Sequence, residues 1–141
     1  MAVEGGCQCA AIRYTVDADR PVATRICWCR GCQYRAAGNA TVNAIFKSES
    51  IKTTGEVSWH EGKADSGNIM RRGFCSQCGT QIFSISSGSP YLTVVRVGTL
   101  DDPSLGAPTT IIWTDSAPSW ALLDPALPHH PKGPESAPLN R

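Results

Sequence analysis

The sequence has no long apolar run and no marked excess of charge of either sign. Its 141 residues carry 13 lysines and arginines against 12 aspartates and glutamates, a formal net charge of +1. Such a balance offers no basic surface for a phosphate backbone or an anionic lipid, so we expect neither nucleic acid nor a membrane as a partner. No apolar stretch approaches the roughly 18 residues of a membrane-spanning helix, and the first residues lack the basic and apolar regions of a signal peptide. We therefore expect a cytoplasmic protein.

The sequence also lacks a long helical periodicity, a glycine-rich phosphate loop and an internal repeat. It contains short segments of alternating apolar and polar residues separated by turn residues, which is typical of an all-β, mainly antiparallel domain. We expect one domain over residues 1–128, a proline-rich tail over 129–141, a loop over 61–68 and at most one helical turn within 29–37. The predicted strands are 10–16, 22–26, 41–46, 50–54, 56–60, 69–75, 81–86, 91–97 and 109–114.

What the chain has in quantity is cysteine, with seven residues in three groups. In a reducing compartment clustered cysteines are more often metal ligands or catalytic groups than disulfides. C-x-x-C turns and C-x-C in extended chain both direct two sulfurs to the same side. The spacing divides the thiols into four and three. The first set, called the quartet below, is Cys7, Cys9, Cys75 and Cys78, and the second, called the triad, is Cys27, Cys29 and Cys32.

Four thiolates complete a tetrahedral zinc site, whereas three leave one coordination position for another ligand. We therefore expect two Zn²⁺ ions, a structural one in the quartet and a second one in the triad. The triad allows two interpretations. It is an open site at which Cys27, Cys29 and Cys32 support catalysis, or it holds a second structural ion that a protein or solvent ligand completes, or that is only partly occupied.

The three groups, with their flanking residues, resemble one known family. The segments GGCQC at 5–9, CWCRGC at 27–32 and FCSQCGT at 74–80, followed by GTLDDP at 98–103, resemble the glutathione-dependent formaldehyde-activating enzymes, a family that includes centromere protein V-like proteins. The resemblance implies an Mss4-like fold of β-sheets with zinc, a structural ion in the quartet and a catalytic ion in the triad. It also implies a carbon–sulfur lyase, similar to S-hydroxymethylglutathione synthase, with glutathione as its thiol.

Several arginines flank the cysteine groups. Arg25, Arg30 and Arg35 surround the triad and are candidates for binding the carboxylates of a glutathione-like substrate, since guanidinium groups pair with carboxylates in a bidentate manner. Alternatively they neutralise the thiolates or face solvent. Arg71 and Arg72, just before Cys75, are candidates for neutralising the quartet.

Two other functions fit the same residues. The chain could be a zinc-stabilised binding module without catalytic activity, as the centromere-associated relatives suggest. It could also be a thiol redox enzyme on a similar fold, which would need a free reactive cysteine.

Overall fold

The computed structural model describes residues 2–135, which form two β-sheets and a short helix. The helix, α1, spans Arg30–Arg35. The strands, in chain order, are β1 (Val3–Gly6), β2 (Arg13–Val16), β3 (Ala23–Cys27), β4 (Thr41–Lys47), β5 (Ile51–Thr54), β6 (Ser58–Lys63), β7 (Ile69–Phe74), β8 (Gln81–Ser86), β9 (Leu92–Arg96) and β10 (Thr110–Ile112).

The strands pair almost entirely in the antiparallel sense. One sheet has the order β1-β2-β5, and the other has the order β10-β3-β4-β9-β8-β7-β6. Within the described residues, the pairing of β10 with β3 is parallel, and the other strand pairs are antiparallel. The expected all-β, mainly antiparallel class is confirmed.

Apart from shifted strand ends, such as β2 beginning at Arg13 rather than at residue 10, the structure departs from the sequence expectation in three places. Strand β1 was not expected, because two of its four residues are glycines that give no alternating pattern. Strand β6 continues to Lys63, so the predicted loop over 61–68 is wrong for its first three residues, which pair with β7. Helix α1 has six residues, which is more than the single turn expected, because the sulfur of Cys29 accepts the Cys32 N–H and caps its first turn.

The seven-stranded sheet has one face in the main core and an opposite face, called the polar face below, that carries polar and charged side chains together with apolar ones. Ala44, Phe46, Phe83 and Val95 are buried in the main core together with Tyr14 of the small sheet. Neighbouring positions on the same strands have their side chains on the opposite face, because successive residues of a strand alternate. In cross-strand register, that face carries Arg25 beside Asn43, Asn43 beside Arg96, and Arg72 beside Ser84.

The chain after β10 returns to lie beside it. The Ile111 N–H donates to the Pro128 carbonyl at 3.0 Å, and the His130 N–H donates to the Ile111 carbonyl at 2.8 Å. His129, between them, is buried. The first residues of the predicted proline-rich tail therefore pack against the sheet, and residues 136–141 of that tail lie outside the described part of the chain.

The close approach of β1 to the segment after β9 explains one glycine. A Cβ atom at Gly5 would lie 2.3 Å from the Thr99 carbonyl oxygen and from the Tyr14 hydroxyl. The Tyr14 hydroxyl is held by a buried hydrogen bond of 2.7 Å to the Thr99 hydroxyl, and the Thr99 carbonyl oxygen belongs to the backbone. Gly98 offers a comparison, because a Cβ atom there would meet nothing within 4 Å.

We therefore predict that Gly5→Ala lowers the free energy of unfolding by about 1–3 kcal/mol, the usual effect of overpacking. Gly98→Ala should change it by less than about 0.5 kcal/mol. Urea unfolding of the two metal-loaded variants measures both effects. Equal stability of the two variants would show that β1 does not need this close approach.

Candidate metal centres

Four cysteine sulfurs from distant parts of the chain meet in one cluster. Cys7 and Cys9 follow β1, and Cys75 and Cys78 follow β7. The four sulfurs lie within 4.8 Å of one another, with Cys9 Sγ 3.6 Å from Cys7 Sγ and 3.7 Å from Cys75 Sγ. Sulfur ligands about 2.3 Å from a tetrahedral zinc ion lie about 3.8 Å apart, so the quartet has the dimensions of a four-thiolate metal site.

Each half of the quartet sits on a tight turn. The Ala10 N–H donates to the Cys7 carbonyl at 3.0 Å, and the Gly79 N–H donates to the Cys75 carbonyl at 2.8 Å. Both donor residues have positive φ, 64° for Ala10 and 78° for Gly79. This conformation is costly for alanine and readily adopted by glycine, so the C-x-x-C turn is the less strained of the two.

Hydrogen-bond donors surround the quartet sulfurs. The Ile12 N–H donates to Cys7 Sγ at 3.2 Å. The Thr80 hydroxyl lies 3.1 Å from Cys78 Sγ, and hydrogen bonds from this hydroxyl and from the Thr80 N–H lower the pKa of Cys78 to about 5. Donors of this kind favour the thiolate form that binds metal.

The triad forms a second, separate sulfur cluster at one end of β3. Cys27 is the last residue of that strand, Cys29 caps α1, and Cys32 lies within the helix. The three sulfurs also lie within 4.8 Å of one another, and the three residues are only 6–8% exposed. Within residues 2–135, no fourth Cys, His, Asp or Glu donor lies that close to all three sulfurs. The triad can therefore supply three ligands to a metal ion.

The electrostatics of the triad also fit a cation. Hydrogen bonds from Cys27 and Cys29 lower the pKa of Cys32, and the charge of Arg96 lowers it further. Contact with Cys29 and Cys32, together with burial, raises the pKa of Cys27. The opposite shifts mean that ionising one thiol disfavours ionisation of its neighbours, and a divalent ion would favour the thiolate form of all three.

The triad opens on a cavity of about 430 Å³ above the polar face of the seven-stranded sheet. All three triad cysteines line it, and no quartet cysteine does. Three arginines share the lining, one each from β3, β7 and β9: Arg25, Arg72 and Arg96. The cavity is therefore cationic on the side of the sheet and rich in sulfur at the triad.

The arginines predicted from the sequence lie in different places. Arg25 lines the cavity. Arg30 is exposed, donates to the Gln33 side chain at 2.6 Å and lies over the Tyr34 ring at 5.1 Å from its centroid. Arg35 donates to the Gly31 carbonyl at 2.8 Å and borders a second cavity of about 690 Å³ beside the quartet turns, which Arg96 also lines.

Sequence reasoning did not assign Arg72 and Arg96 to the triad. Arg72 is close to Cys75 in sequence, but β7 directs it to the triad cavity. Arg71, its neighbour, has its side chain on the other face, 3.6 Å from Glu61 and over the Trp59 ring. No local pattern could have found Arg72 and Arg96, because β7 reads IMRRGF and β9 reads LTVVR, and neither strand alternates arginine with apolar residues. Strand order, which the local sequence does not contain, brings the two arginines to one face.

Comparison with protein families decides the relationship that the cysteine pattern suggested. The family model for the glutathione-dependent formaldehyde-activating enzyme matches residues 2–116. The chain belongs to this family. The matched region contains both sulfur clusters and the three arginines of the cavity, so the features described above lie within the shared family region.

Two individual proteins are similar to the chain. A Halomonas elongata protein, named as a candidate glutathione-dependent formaldehyde-activating enzyme, is 22% identical over 129 residues, covering 88% of this chain and 82% of its own length. A crystal structure of a Rhodobacter sphaeroides protein is 20% identical with a TM-score of 0.59, covering 74% of this chain and 96% of its own. The latter similarity establishes a shared fold. Among residues 2–135 there is no helix of the length and apolarity needed to cross a membrane.

The two clusters make different predictions for metal loss. Cys75→Ser should remove the quartet metal and with it much of the folding free energy, on the order of 10 kcal/mol for a structural zinc-type site. Cys29→Ser should lower the bound metal by one equivalent and leave the β-sheet circular dichroism unchanged. Elemental analysis and thermal melting measure both effects, with Ser76→Ala, at an exposed position beside Cys75, as the control. If both cysteine variants unfold alike, the triad is as structural as the quartet.

Proposed function

We propose that the chain is a zinc-dependent carbon–sulfur lyase that acts on the adduct of formaldehyde with a glutathione-like thiol. Family membership supports the reaction class. The observation that carries the proposal is the position of the triad, whose three sulfurs line a cavity while no quartet sulfur does. A site that only stabilised the fold would not need access to a cavity of this size.

Zinc fits both clusters, because sulfur-only donor sets with these spacings suit it. Cys7, Cys9, Cys75 and Cys78 would hold the structural ion, and Cys27, Cys29 and Cys32 would hold the other. When bound to the triad, zinc supplies a fourth coordination position that favours a thiolate ligand over the neutral thiol. A reducing cytoplasm, the location we propose, would keep all seven thiols available for this role, and none of them is in a disulfide.

The chain's own groups would position the reactants. The cavity holds a thiol with its sulfur toward the triad, and arginines on the cavity wall attract the carboxylates of the same molecule. The thiolate adds to the carbon of formaldehyde, a carbon–sulfur bond forms, and the carbonyl oxygen takes up the proton that the thiol gave up. The reverse reaction breaks that bond and returns the thiol and formaldehyde, which makes the enzyme a lyase.

One observation favours a second function. The triad cysteines are each less than 9% exposed, and a buried cluster of this kind also fits a zinc-stabilised binding module without turnover. In that case glutathione would not reach the triad. The two functions therefore differ in whether a small thiol changes the environment of the triad metal.

Exchange spectroscopy by NMR tests the lyase directly. We predict that the zinc-loaded protein speeds the exchange between formaldehyde and its glutathione adduct by at least about tenfold over the uncatalysed rate, a barrier change of about 1.4 kcal/mol. Cys29→Ser should abolish the acceleration, and Ser76→Ala should retain it.

Cobalt substitution supplies a second readout. Glutathione added to the cobalt-loaded protein should change the visible spectrum, and this change should be absent in Cys29→Ser, in which only the quartet binds metal. No acceleration and no spectral change in a protein with both metals would reject the lyase in favour of the binding module. A reactive thiol in the fully loaded protein would instead support a redox enzyme.

A further inference from the structure

Two arginines of the cavity are buried without a carboxylate partner. Arg72 is 7% exposed and Arg96 is 8% exposed. Among residues 2–135, neither lies within 4.0 Å of a carboxylate oxygen, whereas Arg13 and Arg71 each do. A buried charge without a partner is costly, so an unpaired cation in a cavity wall points to an anion from outside the chain.

The hydrogen bonds of Arg96 are incomplete. One of its Nη atoms donates to Asn43 Oδ1 at 2.5 Å. Its Nε is buried and has no hydrogen-bond partner within the described residues. Asn43 also donates to the Thr41 hydroxyl at 3.0 Å, which fixes the amide oxygen toward Arg96. The guanidinium is thus held in place on one edge and left with an unused donor.

Arg72 reaches the cavity from the neighbouring part of the sheet. A Cβ atom at Gly31 of α1 would lie 3.3 Å from one of its Nη atoms, so the guanidinium lies against the helix that carries Cys32. Burial lowers the pKa of Arg96, the Cys32 thiolate raises it and the charge of Arg72 lowers it. The two guanidinium groups and the triad therefore share one electrostatic environment.

Arg25, the third arginine of the cavity, differs in having an acid beside it. Glu135, from the C-terminal segment, lines the same cavity and raises the pKa of Arg25, against the lowering that burial produces. Asp65 also lines the cavity, and its carboxylate accepts the Arg30 backbone N–H at 3.2 Å. Within the described residues neither acid lies within 4.0 Å of Arg72 or Arg96, so these two guanidinium groups have no carboxylate at hydrogen-bonding distance.

We propose that Arg72 and Arg96 form a carboxylate-binding subsite next to the triad, so that the protein selects thiols that carry a carboxylate over neutral thiols. This inference rests on the proposed function for the thiol, and it adds the residues that would recognise the carboxylate of that thiol. A carboxylate accepts two parallel N–H bonds from a guanidinium, a geometry that a neutral ester or amide cannot reproduce with the same strength.

Calorimetry with S-methylglutathione and with its diester tests the subsite without turnover. The methyl group blocks the sulfur, and esterification removes both carboxylate charges. The zinc-loaded wild-type protein should bind the free acid at least about tenfold more tightly than the diester, the usual scale of a charge-assisted bidentate pair. Arg72→Gln should remove this preference, and Arg72→Lys should restore part of it.

Arg71→Gln is the matched control, since Arg71 is the adjacent arginine on the same strand with its side chain on the opposite face. It should keep the wild-type preference. Metal content is measured for every variant. If Arg72→Gln keeps the preference, or loses triad metal, or if the wild-type protein does not distinguish acid from diester, the subsite is rejected.

The outcomes also separate the subsite from the lyase. Exchange of formaldehyde on glutathione without any preference for the free acid would reject the subsite and leave the lyase standing. A preference for the free acid without catalysed exchange would reject the lyase and keep the subsite as the ligand site of a binding module.

Discussion

The four-sulfur cluster brings Cys9 to within 3.7 Å of Cys75 across 66 positions of the chain. Cys7 and Cys9 follow a strand of the small sheet and Cys75 and Cys78 follow a strand of the large one, so a metal ion in the quartet would link the two sheets in addition to their shared apolar core. The other connections near this point are weaker. The Arg13 and Asp101 ion pair is largely exposed, and exposed pairs contribute little. The Tyr14 and Thr99 hydrogen bond is buried but neutral, and such bonds have a modest net effect.

The same fold gives the second cluster a different neighbourhood. The quartet lies on two turns beyond the ends of strands, whereas the triad lies over a sheet face. That face carries arginine, asparagine and serine side chains together with apolar ones, since the core takes the alternate residues of the same strands. The strand order of the seven-stranded sheet brings β3, β9 and β7 to one surface although they are far apart in sequence. The fold thus supplies the triad with arginines that no local sequence motif contains.

This explains what the sequence could and could not predict. Alternation of residue types predicted the strands, and cysteine spacing grouped the sulfurs as they are found, because both are local patterns. Alternation did not predict β1, where glycines replace it. It also did not predict the end of β6 at Lys63, where pairing with Ile69 overrides a polar, loop-like composition. The arginines show the deeper limit. Arg30 and Arg35 are near the triad in sequence, while Arg72 and Arg96 are near it in space, and strand order decides between them.

Charge explains why the cavity and the triad belong to one site. Burying Arg72 and Arg96 without carboxylates raises the free energy of the folded chain, since each desolvated ion costs several kcal/mol. A triad that holds a divalent ion would carry a net charge of −1 and would offset part of that cost. Under the proposed function, a neutral thiol would bind only through its sulfur, whereas a thiol that carries a carboxylate would also give Arg72 and Arg96 a carboxylate partner.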